Sequence, residues 1–441
     1  MVKNLNYKKI LILSTPISFL VGPLILEIIL IITTIIFLYD EKKETLKNNL
    51  NNIFFKFFFG FSAYLLFSFI IFQRFDEGYT YSVFYFRYII YFFSLYYLIF
   101  NLKLEEYFLK VFLIINIFLI IDSLFQFIFG SNIFGMIVQD EGRISSIFGE
   151  ELILGSFICK ITPFCFAILF TDNLKNNLKF LIYLVILLNL IVVLISGERS
   201  ALFLYLLFSL YLFIFIKVSF KLKLIISFFG IISLILIIFN NQNVYDRIID
   251  KTIFELIGKN SLTKNYFNEN QIILKDFNED KCLKSENLNL KECSSDDKFF
   301  FFSSTHENYF KTSLNIFKDN LLFGAGPKSF RKLCGEDLYG INRWSCSSHP
   351  HNYYIQLLAE VGLVGLSFLF TGYILFFVTL VRVLNNQGLQ TKQKNFYIVF
   401  IGALIINFFP LVPTGNFFNN WLTILSFLPI IYLIKLRNVL R

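Results

Sequence analysis

Charged residues are scarce in this chain of 441 residues, and their scarcity is the first constraint on its class. Asp, Glu, Lys and Arg make up 16% of the sequence, whereas soluble globular domains contain about 25%. Hydrophobic residues make up 56% and lie in continuous apolar runs of about 15–25 residues, the length at which a helix crosses a bilayer core. These runs do not alternate with polar residues as barrel strands do. The sequence therefore predicts an all-α polytopic membrane protein.

Common catalytic motifs and a secretion signal are also missing. The sequence has no Walker loop, dinucleotide-binding fingerprint, His-Glu-x-x-His motif or Asp-x-Asp pair, so nothing in it predicts a bound metal or cofactor. No small-residue cleavage site follows the first apolar run, and we expect no cleaved signal peptide. The net charge of +9 is spread over short loops rather than gathered in one patch, which predicts a lipid bilayer and no nucleic acid as partner.

About twelve apolar segments are predicted to be transmembrane helices. Gly22-Pro23 interrupts the first run, which leaves two short helices or one long kinked helix as alternatives. With two helices there, Lys and Arg concentrate at the N-terminus and in every second loop. The positive-inside rule then places both termini in the cytoplasm. The predicted spans are 10–22, 24–39, 53–73, 84–100, 108–129, 151–171, 179–196, 200–216, 221–239, 356–381, 397–411 and 418–434.

A long polar stretch divides the predicted bundle into two parts. Residues 1–239 are expected to form an N-terminal transmembrane bundle and residues 356–441 a C-terminal one. Between them, residues 240–355 form one large loop, which the charge pattern places on the outer, periplasmic face. A loop of this length is long enough to fold as a small cap over the bundle.

The cysteines of the large loop suggest disulfides. Four of the six cysteines in the chain lie there, and an even number in an oxidising compartment favours disulfide bonds. Free thiols are one alternative. A zinc site at Cys346-x-x-His349-x-His351 is another, although it lacks a convincing fourth ligand. The simplest pairing joins Cys282 to Cys293 and Cys334 to Cys346.

Arginines at the predicted outer boundary are candidates for anion binding. Arg199 lies in the tight turn Ser-Gly-Glu-Arg-Ser-Ala, and Arg143 lies in the loop before another span. A guanidinium donates two parallel hydrogen bonds to a phosphate. Alternatively, Arg199 reaches the lipid headgroups and Arg143 forms ion pairs in its own solvated loop. Lys160 lies inside a span, and we expect it to face a polar cavity or a partner such as Asp122.

Two of the three histidines lie in the cluster Ser-Ser-His349-Pro-His351-Asn352, directly before an apolar helix. His351 is the favoured general base, because imidazole titrates near neutral pH. Asn352 either orients His351 or caps the helix that follows. The alternative is that the histidines only anchor this helix. His306 and Arg331, both in the large loop, are further candidates.

Three segments occur in an order that resembles the O-antigen ligase and O-antigen polymerase superfamily. The resemblance extends over roughly residues 140–380 and rests on the order of the motifs rather than on any one of them. The segments are the turn around Arg199; Asn-Leu-Leu-Phe-Gly324-Ala-Gly326-Pro-Lys-Ser-Phe; and His349-Pro-His351-Asn352 leading to Glu360-Val-Gly362-Leu-Val-Gly365.

The resemblance implies an inverting, metal-independent glycosyltransferase of the bacterial inner membrane that takes part in surface polysaccharide synthesis and uses no cofactor. Its donor would be a glycan on undecaprenyl pyrophosphate. Its acceptor would be a second lipid-linked glycan for a polymerase, or a lipid A core for a ligase. A flippase or transporter of the same glycans and a non-catalytic assembly protein remain alternatives. A transporter would need a cavity open to both sides and charges spread through its helices.

The resemblance also assigns roles by position. Arg199 would contact the donor pyrophosphate, and His351 would activate or hold the acceptor hydroxyl. The family often has a second arginine ahead of the Gly-x-Gly segment, where this chain has His306, so Arg143 or Arg331 is expected to substitute. Two further residues of the motifs, Asn352 and Glu360, are expected to bind substrate. Structural roles, including close helix packing, are expected for the motif glycines Gly324, Gly326, Gly362 and Gly365.

Overall fold

Helices dominate the computed structural model in every range that it describes. Within these ranges there is no named strand, and the two isolated β-bridges join Ser131 to Ile137 and Gln139 to Arg143. The predicted all-α class is therefore confirmed for the described residues. Cys282 and Cys293 lie outside them. The structure describes residues 2–40, 51–72, 78–139, 142–172, 174–253, 304–342 and 345–440.

A helix lies over each of the apolar segments predicted to span the membrane. Short 3-10 turns occur at Ser146–Phe148 and Ile168–Phe170, and a π-helical turn occurs at Asp246–Asp250. The helices are α1 (Val2–Val21), α2 (Pro23–Asp40), α3 (Ile53–Phe72), α4 (Tyr79–Val83), α5 (Phe86–Asn101), α6 (Glu105–Phe129), α7 (Leu154–Ala167), α8 (Asn176–Ile195), α9 (Arg199–Phe215), α10 (Phe220–Asn240), α11 (Gln242–Tyr245), α12 (Ser304–Asp319), α13 (Phe330–Leu333), α14 (Tyr353–Asn385), α15 (Thr391–Asn407), α16 (Asn420–Phe427) and α17 (Ile430–Leu440).

Six of these helices are long and apolar enough to cross a membrane: α2, α3, α6, α8, α10 and α14. Together with the apolar composition, they support a polytopic membrane protein. Several of the other helices, such as α7 and α9, are apolar but shorter. The count of twelve crossings and the side of the membrane on which the loops lie stay predictions.

The first apolar run forms two helices rather than one. Gly22 has a φ of 136°, which interrupts the helical path. Pro23 then begins α2, at a position where its missing N–H removes no helical hydrogen bond. Lys8 of α1 and Asp40 of α2 form an ion pair. The two helices therefore run back against each other.

The core of the bundle surrounds α7 and α15. Helix α7 packs against α6, α8, α9 and α15, and most of its side chains are buried. Helix α15 is buried almost continuously from Asn395 to Asn407. Helix α10, by contrast, buries only Gly230 among its residues and presents apolar side chains outward, as a helix facing lipid does. The short, central α7 consequently holds its first turn inside the protein.

Helix α14 is interrupted near its start. Gly362 has a φ of 67° and a ψ of −169°, far from helical values. The interruption frees backbone groups on both sides of it, and these groups pair with the segment 321–326, which satisfies them inside the bundle. The four bonds run from Ala325 N to Ala359 O (2.8 Å), from Gly326 N to Glu360 O (2.7 Å), from Leu363 N to Leu321 O (2.9 Å) and from Val364 N to Leu322 O (3.2 Å).

Two glycines make this pairing possible. A Cβ added to Gly362 would lie 2.4 Å from the carbonyl of Leu322. A Cβ added to Gly324 would lie 2.2 Å from the backbone nitrogen of Val361. Both glycines also have positive φ values, which L-residues rarely adopt. Where close helix packing was expected from Gly362, the structure has a turn segment lying against a broken helix.

The described part of the large loop packs on the first half of α14. Helix α12 lies against α14, and a small apolar cluster forms beneath it from Ile316, Phe330, Cys334 and Ala359. A disulfide joins Cys334 to Cys346, with 5.0 Å between their Cα atoms. Cys346 therefore offers no thiolate for the alternative zinc site. The disulfide also connects this cap to the segment that carries His349 and His351.

Candidate functional site

A cavity of about 1220 Å³ lies where α8 ends and α7, α9 and α14 begin. Its polar lining is dominated by cationic and imidazole groups, and its deeper lining is apolar. All three histidines of the chain lie on its wall. The lining cations and histidines are Arg143, Lys160, Arg199, Arg247, Lys328, Arg331, His306, His349 and His351.

The arginine wall of the cavity consists of the turn 196–199 with Arg143 and Arg247. The turn is pinned by guanidinium groups that donate to its backbone carbonyls. Arg143 Nε donates to Ser196 O at 3.2 Å, and Arg247 Nε donates to Gly197 O at 3.2 Å. Arg199, which begins α9, donates from Nη1 to Thr252 Oγ1 at 3.3 Å. Two of the three arginines thus fix the backbone that carries the third.

Glu198 anchors the same turn to α7. One carboxylate oxygen accepts from Gly155 N at 2.6 Å, and the other accepts from Ser156 N at 3.2 Å and from the Ser156 hydroxyl. These are amides of the first turn of α7, which have no partner within the helix, and the positive end of the helix dipole favours a carboxylate there. The Glu-Arg pair of the turn therefore separates into a structural carboxylate and a cavity-lining guanidinium.

The histidine wall consists of residues 347–352, and it is fixed by backbone and amide bonds to residues 410–414. Thr414 N donates to His351 O at 2.8 Å. Asn352 Nδ2 donates to Pro410 O at 2.7 Å, while its Oδ1 accepts from Tyr354 N at 3.0 Å and caps α14. His351 itself has a φ of 57°, a strained value for a residue with a side chain. Strain of this kind is maintained only where the surroundings fix the backbone.

The two imidazoles of this wall differ in what they leave open. His349 Nε2 lies 3.2 Å from Thr414 O, which can only accept, so this nitrogen carries the proton. Its Nδ1 lies 2.9 Å from Ser348 Oγ and accepts from that hydroxyl. His351 Nε2 pairs with Ser347 Oγ at 3.1 Å, and no described residue pairs with its Nδ1. His351 is therefore the imidazole with a nitrogen available to a ligand.

The imidazole of His351 lies in a cluster of rings. Its centroid is 4.1 Å from that of His349, 5.5 Å from that of His306 and 5.6 Å from that of Tyr309. Burial, followed by the neighbouring imidazoles, lowers the pKa of His351 from 6.5 to about 3. Burial likewise lowers the pKa of His349 to about 4. Both rings are neutral at pH 7, and an anion bound nearby would raise both pKa values.

Lys328 and Arg331 reach the cavity from a segment that Glu360 holds in place. The Glu360 carboxylate is fully buried, with Oε1 accepting from Phe330 N at 3.3 Å and Oε2 accepting from Gln356 Nε2 at 3.0 Å. Lys328 Nζ lies 3.6 Å from the centroid of the Tyr81 ring, a cation–π contact. A buried carboxylate at the break of α14 therefore positions two cations that line the cavity.

Gln356 extends this network to the far side of the cavity. Its Nε2 also donates to Asn416 Oδ1 at 2.9 Å, and its Oε1 accepts from Phe417 N at 2.9 Å. Asn416 lines the cavity. Glu360 and Gln356, one helical turn apart, thus connect the segment carrying Lys328 with the loop opposite it.

The structure brings most of the predicted site residues together. Arg143, Arg199, His306, Arg331 and His351 all line the one cavity. Arg143, expected to be a substitute anion ligand, donates to two backbone carbonyls: that of Ser196 and, at 3.4 Å, that of Leu152.

Asn352 and Glu360, expected to bind substrate, are not part of the described lining. Their side chains are buried, and their polar atoms bond to backbone and to Gln356. Both residue types suggest a ligand when they lie beside an apolar helix. Here Asn352 and Glu360 instead stabilise the irregular backbone around the start of α14.

Of the two alternatives expected for Lys160, a polar cavity or a partner such as Asp122, the structure has the first, because Lys160 lines the cavity. Asp122 instead accepts from Asn132 Nδ2 at 3.3 Å and Ile133 N at 3.0 Å, and it bonds to the Ser146 hydroxyl. Its carboxylate organises the loop before α7.

Sequence reasoning missed Arg247 and Lys328 as cavity residues. Arg247 follows α10 at the start of the long loop, where no periodicity marks one cation among many. Lys328 lies in the Gly-Ala-Gly-Pro-Lys segment that carried the resemblance, and this position was the available signal.

The geometry can be compared with known families. A family model described as O-antigen ligase matches residues 184–370. The matched stretch includes the turn at Arg199, the Gly324 segment, the histidine wall and the break in α14. No curated protein matches the chain.

Proposed function

We propose that the chain transfers a glycan from undecaprenyl pyrophosphate to an acceptor hydroxyl, because residues 184–370 match a family model described as O-antigen ligase. The observation that carries the proposal is the convergence of Arg199, His351 and Arg331 on one cavity. These residues are separated by up to about 150 positions in sequence, and the fold gives them a common space. The acceptor is a second lipid-linked glycan or a lipid A core.

The proposed reaction is a single displacement with inversion. The acceptor oxygen forms a bond to the anomeric carbon of the donor as the bond from that carbon to the pyrophosphate oxygen breaks. The electron pair leaves with the pyrophosphate, and the hydroxyl proton passes to the imidazole of His351. His351 Nδ1 suits this role, because Ser347 pairs with the other ring nitrogen.

Positive charge on the leaving group is the second requirement. Arg199 contacts the pyrophosphate in this proposal, and Arg331 and Lys328 are further cations of the same lining. Pyrophosphate is already a good leaving group, so guanidinium and ammonium groups held in place suffice without a metal ion. The bound anion also raises the pKa of His351 from about 3, which makes the imidazole a better base when the donor is present.

The membrane arrangement belongs to the same proposal. The cavity opens on the periplasmic side, both termini lie in the cytoplasm, and the chain crosses the inner membrane twelve times. A lipid-linked donor then keeps its polyprenyl chain in the bilayer and its sugars in water, with the reacting bond at the boundary. Labelling of single cysteines introduced at Lys392 and at Gln242 tests the sidedness. Access of a membrane-impermeant reagent to position 392 but not to position 242 in intact cells would contradict it.

The function is tested by Arg199→Ala and His351→Ala in cells that make the surface glycan. We expect the glycan ladder to disappear in both variants while the protein remains in the membrane. Arg382→Ala, an exposed arginine at the other end of α14, is the matched control and keeps the ladder. Complete ladders in both site variants would overturn the catalytic assignment and favour transport of lipid-linked glycan.

Deletion of the gene distinguishes the two acceptors. Single repeats left on the lipid A core identify a polymerase, because ligation continues without it. Long chains left on undecaprenyl pyrophosphate identify a ligase. Gel analysis of extracted glycolipids separates the two outcomes.

A further inference from the structure

Lys160 is a cation inside the bundle to which the proposed reaction assigns no part. It lies on α7, among the apolar residues of a central helix, and its side chain lines the cavity. No described carboxylate forms an ion pair with it. An ammonium group at membrane depth costs roughly 2.5–3.5 kcal/mol on insertion scales, so a chain that retains one there has a use for it.

The hydrogen bonding of Lys160 does not offset that cost. Its Nζ donates to Asn407 Oδ1 at 3.4 Å, a long bond to a neutral acceptor. Asn407 Nδ2 donates to Ser426 O at 3.0 Å, which fixes the amide with its oxygen toward Lys160. An ammonium has three donors, and this bond uses one. The protein therefore holds Lys160 in place without neutralising it.

The cavity carboxylates do not neutralise it either. Both oxygens of Glu198 are committed to the first turn of α7. Glu151, the other carboxylate on the described lining, is an exposed residue before α7 begins. The charge of Lys160 therefore faces a space that suits an anion.

The depth of Lys160 indicates what kind of anion. It follows Ser156 by one turn of α7, so it lies about 6 Å further along the helix axis than the level at which Glu198 bonds to α7. At this depth the lining is apolar and includes Pro163, Phe208 and Ile406. A phosphate attached to a hydrocarbon chain matches a cation surrounded by apolar walls, because the chain can continue into apolar surroundings.

We infer that Lys160 binds the lipid-proximal phosphate of a polyprenyl phosphate or pyrophosphate, a contact separate from that of Arg199 with the sugar-proximal phosphate. The inference rests on the proposed function and adds the orientation of the donor, with its lipid end toward α7 and α15. Lys160 does not contact the bond that breaks. Its loss therefore weakens binding of the lipid phosphate.

The test measures binding to the full-length protein in detergent. The variants are Lys160→Met, which keeps the length of the side chain and removes its charge, and Lys160→Gln, which serves if the first does not accumulate. The probes are undecaprenyl monophosphate, undecaprenyl pyrophosphate and free inorganic pyrophosphate. Trp421 lines the cavity and stacks on Phe157, so tryptophan fluorescence gives one readout. The shift in unfolding temperature gives a second.

We expect Lys160→Met to weaken binding of both lipids by about tenfold, as loss of a phosphate contact does. Arg199→Ala is expected to weaken the pyrophosphate lipid more than the monophosphate lipid, since the monophosphate has no second phosphate to lose. Without ligand, Lys160→Met should unfold at a higher temperature than wild type, because it removes a partly buried charge that no described carboxylate compensates. A merely structural Lys160 would give a lower unfolding temperature.

Three results would overturn the inference. The first is equal affinity of wild type and Lys160→Met for both lipids. The second is binding of free pyrophosphate as tightly as the lipids, with the same loss in the variant, which would assign the site to a free anion. The third is failure of wild type to bind either lipid, which would overturn the proposed donor as well. A normal glycan ladder in Arg199→Ala and His351→Ala, with lipid binding still sensitive to Lys160, would reject the proposed function alone.

Discussion

The arginine wall and the histidine wall of the cavity are held in place by different kinds of bond. On the arginine wall, charged side chains donate to or accept from backbone, as Arg143, Arg247 and Glu198 do. On the histidine wall, backbone and amide groups make the connections, through Thr414 and Asn352. The charges of the first wall are largely used for construction. The histidine wall is held in place without charged side chains, and it leaves Nδ1 of His351 available to a ligand.

This difference separates positioning groups from reacting ones. Cations near Arg199 fix the turn that presents it, so loss of one of them acts on activity through backbone geometry. His351 is fixed by its neighbours' backbone, so its ring can change protonation without loosening the wall. Substitutions at the break in α14, at the residues that hold each wall in place and around the imidazole rings should therefore reduce activity or stability to different degrees.

The largest effect is expected at the break in α14, where segment 321–326 pairs with the helix. Gly362→Ala places a Cβ 2.4 Å from the carbonyl of Leu322 at a φ of 67°. The clash and the strained backbone together destabilise the fold by about 2–5 kcal/mol. We expect transfer activity to be lost and the unfolding temperature in detergent to fall.

Gly335→Ala is the control for this substitution. Gly335 lies in the cap that packs on α14, and the nearest atom to an added Cβ is Cys346 Sγ at 3.7 Å, an ordinary contact. This variant should retain activity and stability. An unchanged unfolding temperature for Gly362→Ala would contradict the close backbone approach at the break.

A smaller effect is expected at Glu360, which with Gln356 connects the segment carrying Lys328 to the loop around Asn416. Glu360 accepts from Phe330 N and Gln356 Nε2, whereas a glutamine at 360 must turn a donor toward one of them. An unsatisfied buried donor costs about 1–3 kcal/mol. Glu360→Gln should reduce transfer, with a larger change in KM for the donor than in kcat, because Lys328 and Arg331 are displaced.

The double variant Glu360→Gln with Gln356→Glu restores a donor–acceptor match between the two side chains. We expect it to recover part of the lost activity. A double variant no better than the sum of the two single changes would indicate that the hydrogen bond between them has no role. The comparison is made by a double-mutant cycle on kcat/KM.

Glu360 also marks the limit of what the sequence predicts. Helix positions followed from apolar runs, because length and composition alone favour a helix in lipid. The order of the motifs predicted that Arg199 and His351 belong to one site, and both line one cavity in the structure. The break at Gly362 did not follow, because a Gly-x-x-Gly pattern on an apolar helix indicates close helix packing. The structural role of Glu360 depends on that break, so it did not follow either. That Gly362 breaks the helix and that segment 321–326 pairs with it depend on contacts distant in sequence.

A smaller effect again is expected on the arginine wall. Arg247→Ala removes the bond from Nε to Gly197 O and loosens the turn before Arg199. A bond of this charged type contributes about 1.5 kcal/mol, which corresponds to roughly a tenfold fall in kcat/KM. Arg247→Lys should recover little, because a lysine does not reproduce the direction of the guanidinium N–H. Arg382→Ala is the control.

Equal losses in Arg247→Ala and Arg199→Ala would break the comparison between the walls. They would show that Arg247 contacts the substrate as directly as Arg199. Single-turnover rates with saturating donor separate the cases. A positioning residue lowers them modestly, whereas a residue that stabilises the leaving group lowers them as far as kcat/KM.

A change of pH is the mildest perturbation of the protein, and comparison with His351→Gln isolates the ring environment. Burial lowers the pKa of His349 to about 4 and that of His351 to about 3, both below the usual 6.5. Between these values and 6.5 the unfolded chain binds protons that the folded chain does not. The contribution of these two histidines to the free energy of unfolding is therefore fully present above pH 6.5. It is lost as the pH falls below 6.5, by at most about 1.4 kcal/mol per pH unit for each histidine.

We expect the unfolding temperature of the ligand-free protein to fall between pH 7 and pH 5, and the fall to be smaller in His351→Gln. Undecaprenyl pyrophosphate should reduce the fall in wild type, since an anion beside the imidazoles raises their pKa values toward 6.5. Differential scanning fluorimetry across this range measures both effects. If His351→Gln loses as much stability as wild type over this range, its imidazole is not buried as the histidine wall requires. The two walls would then differ only in their charges. The Nδ1 atom of His351 would no longer be distinguished as the nitrogen that is held in place and available to a ligand.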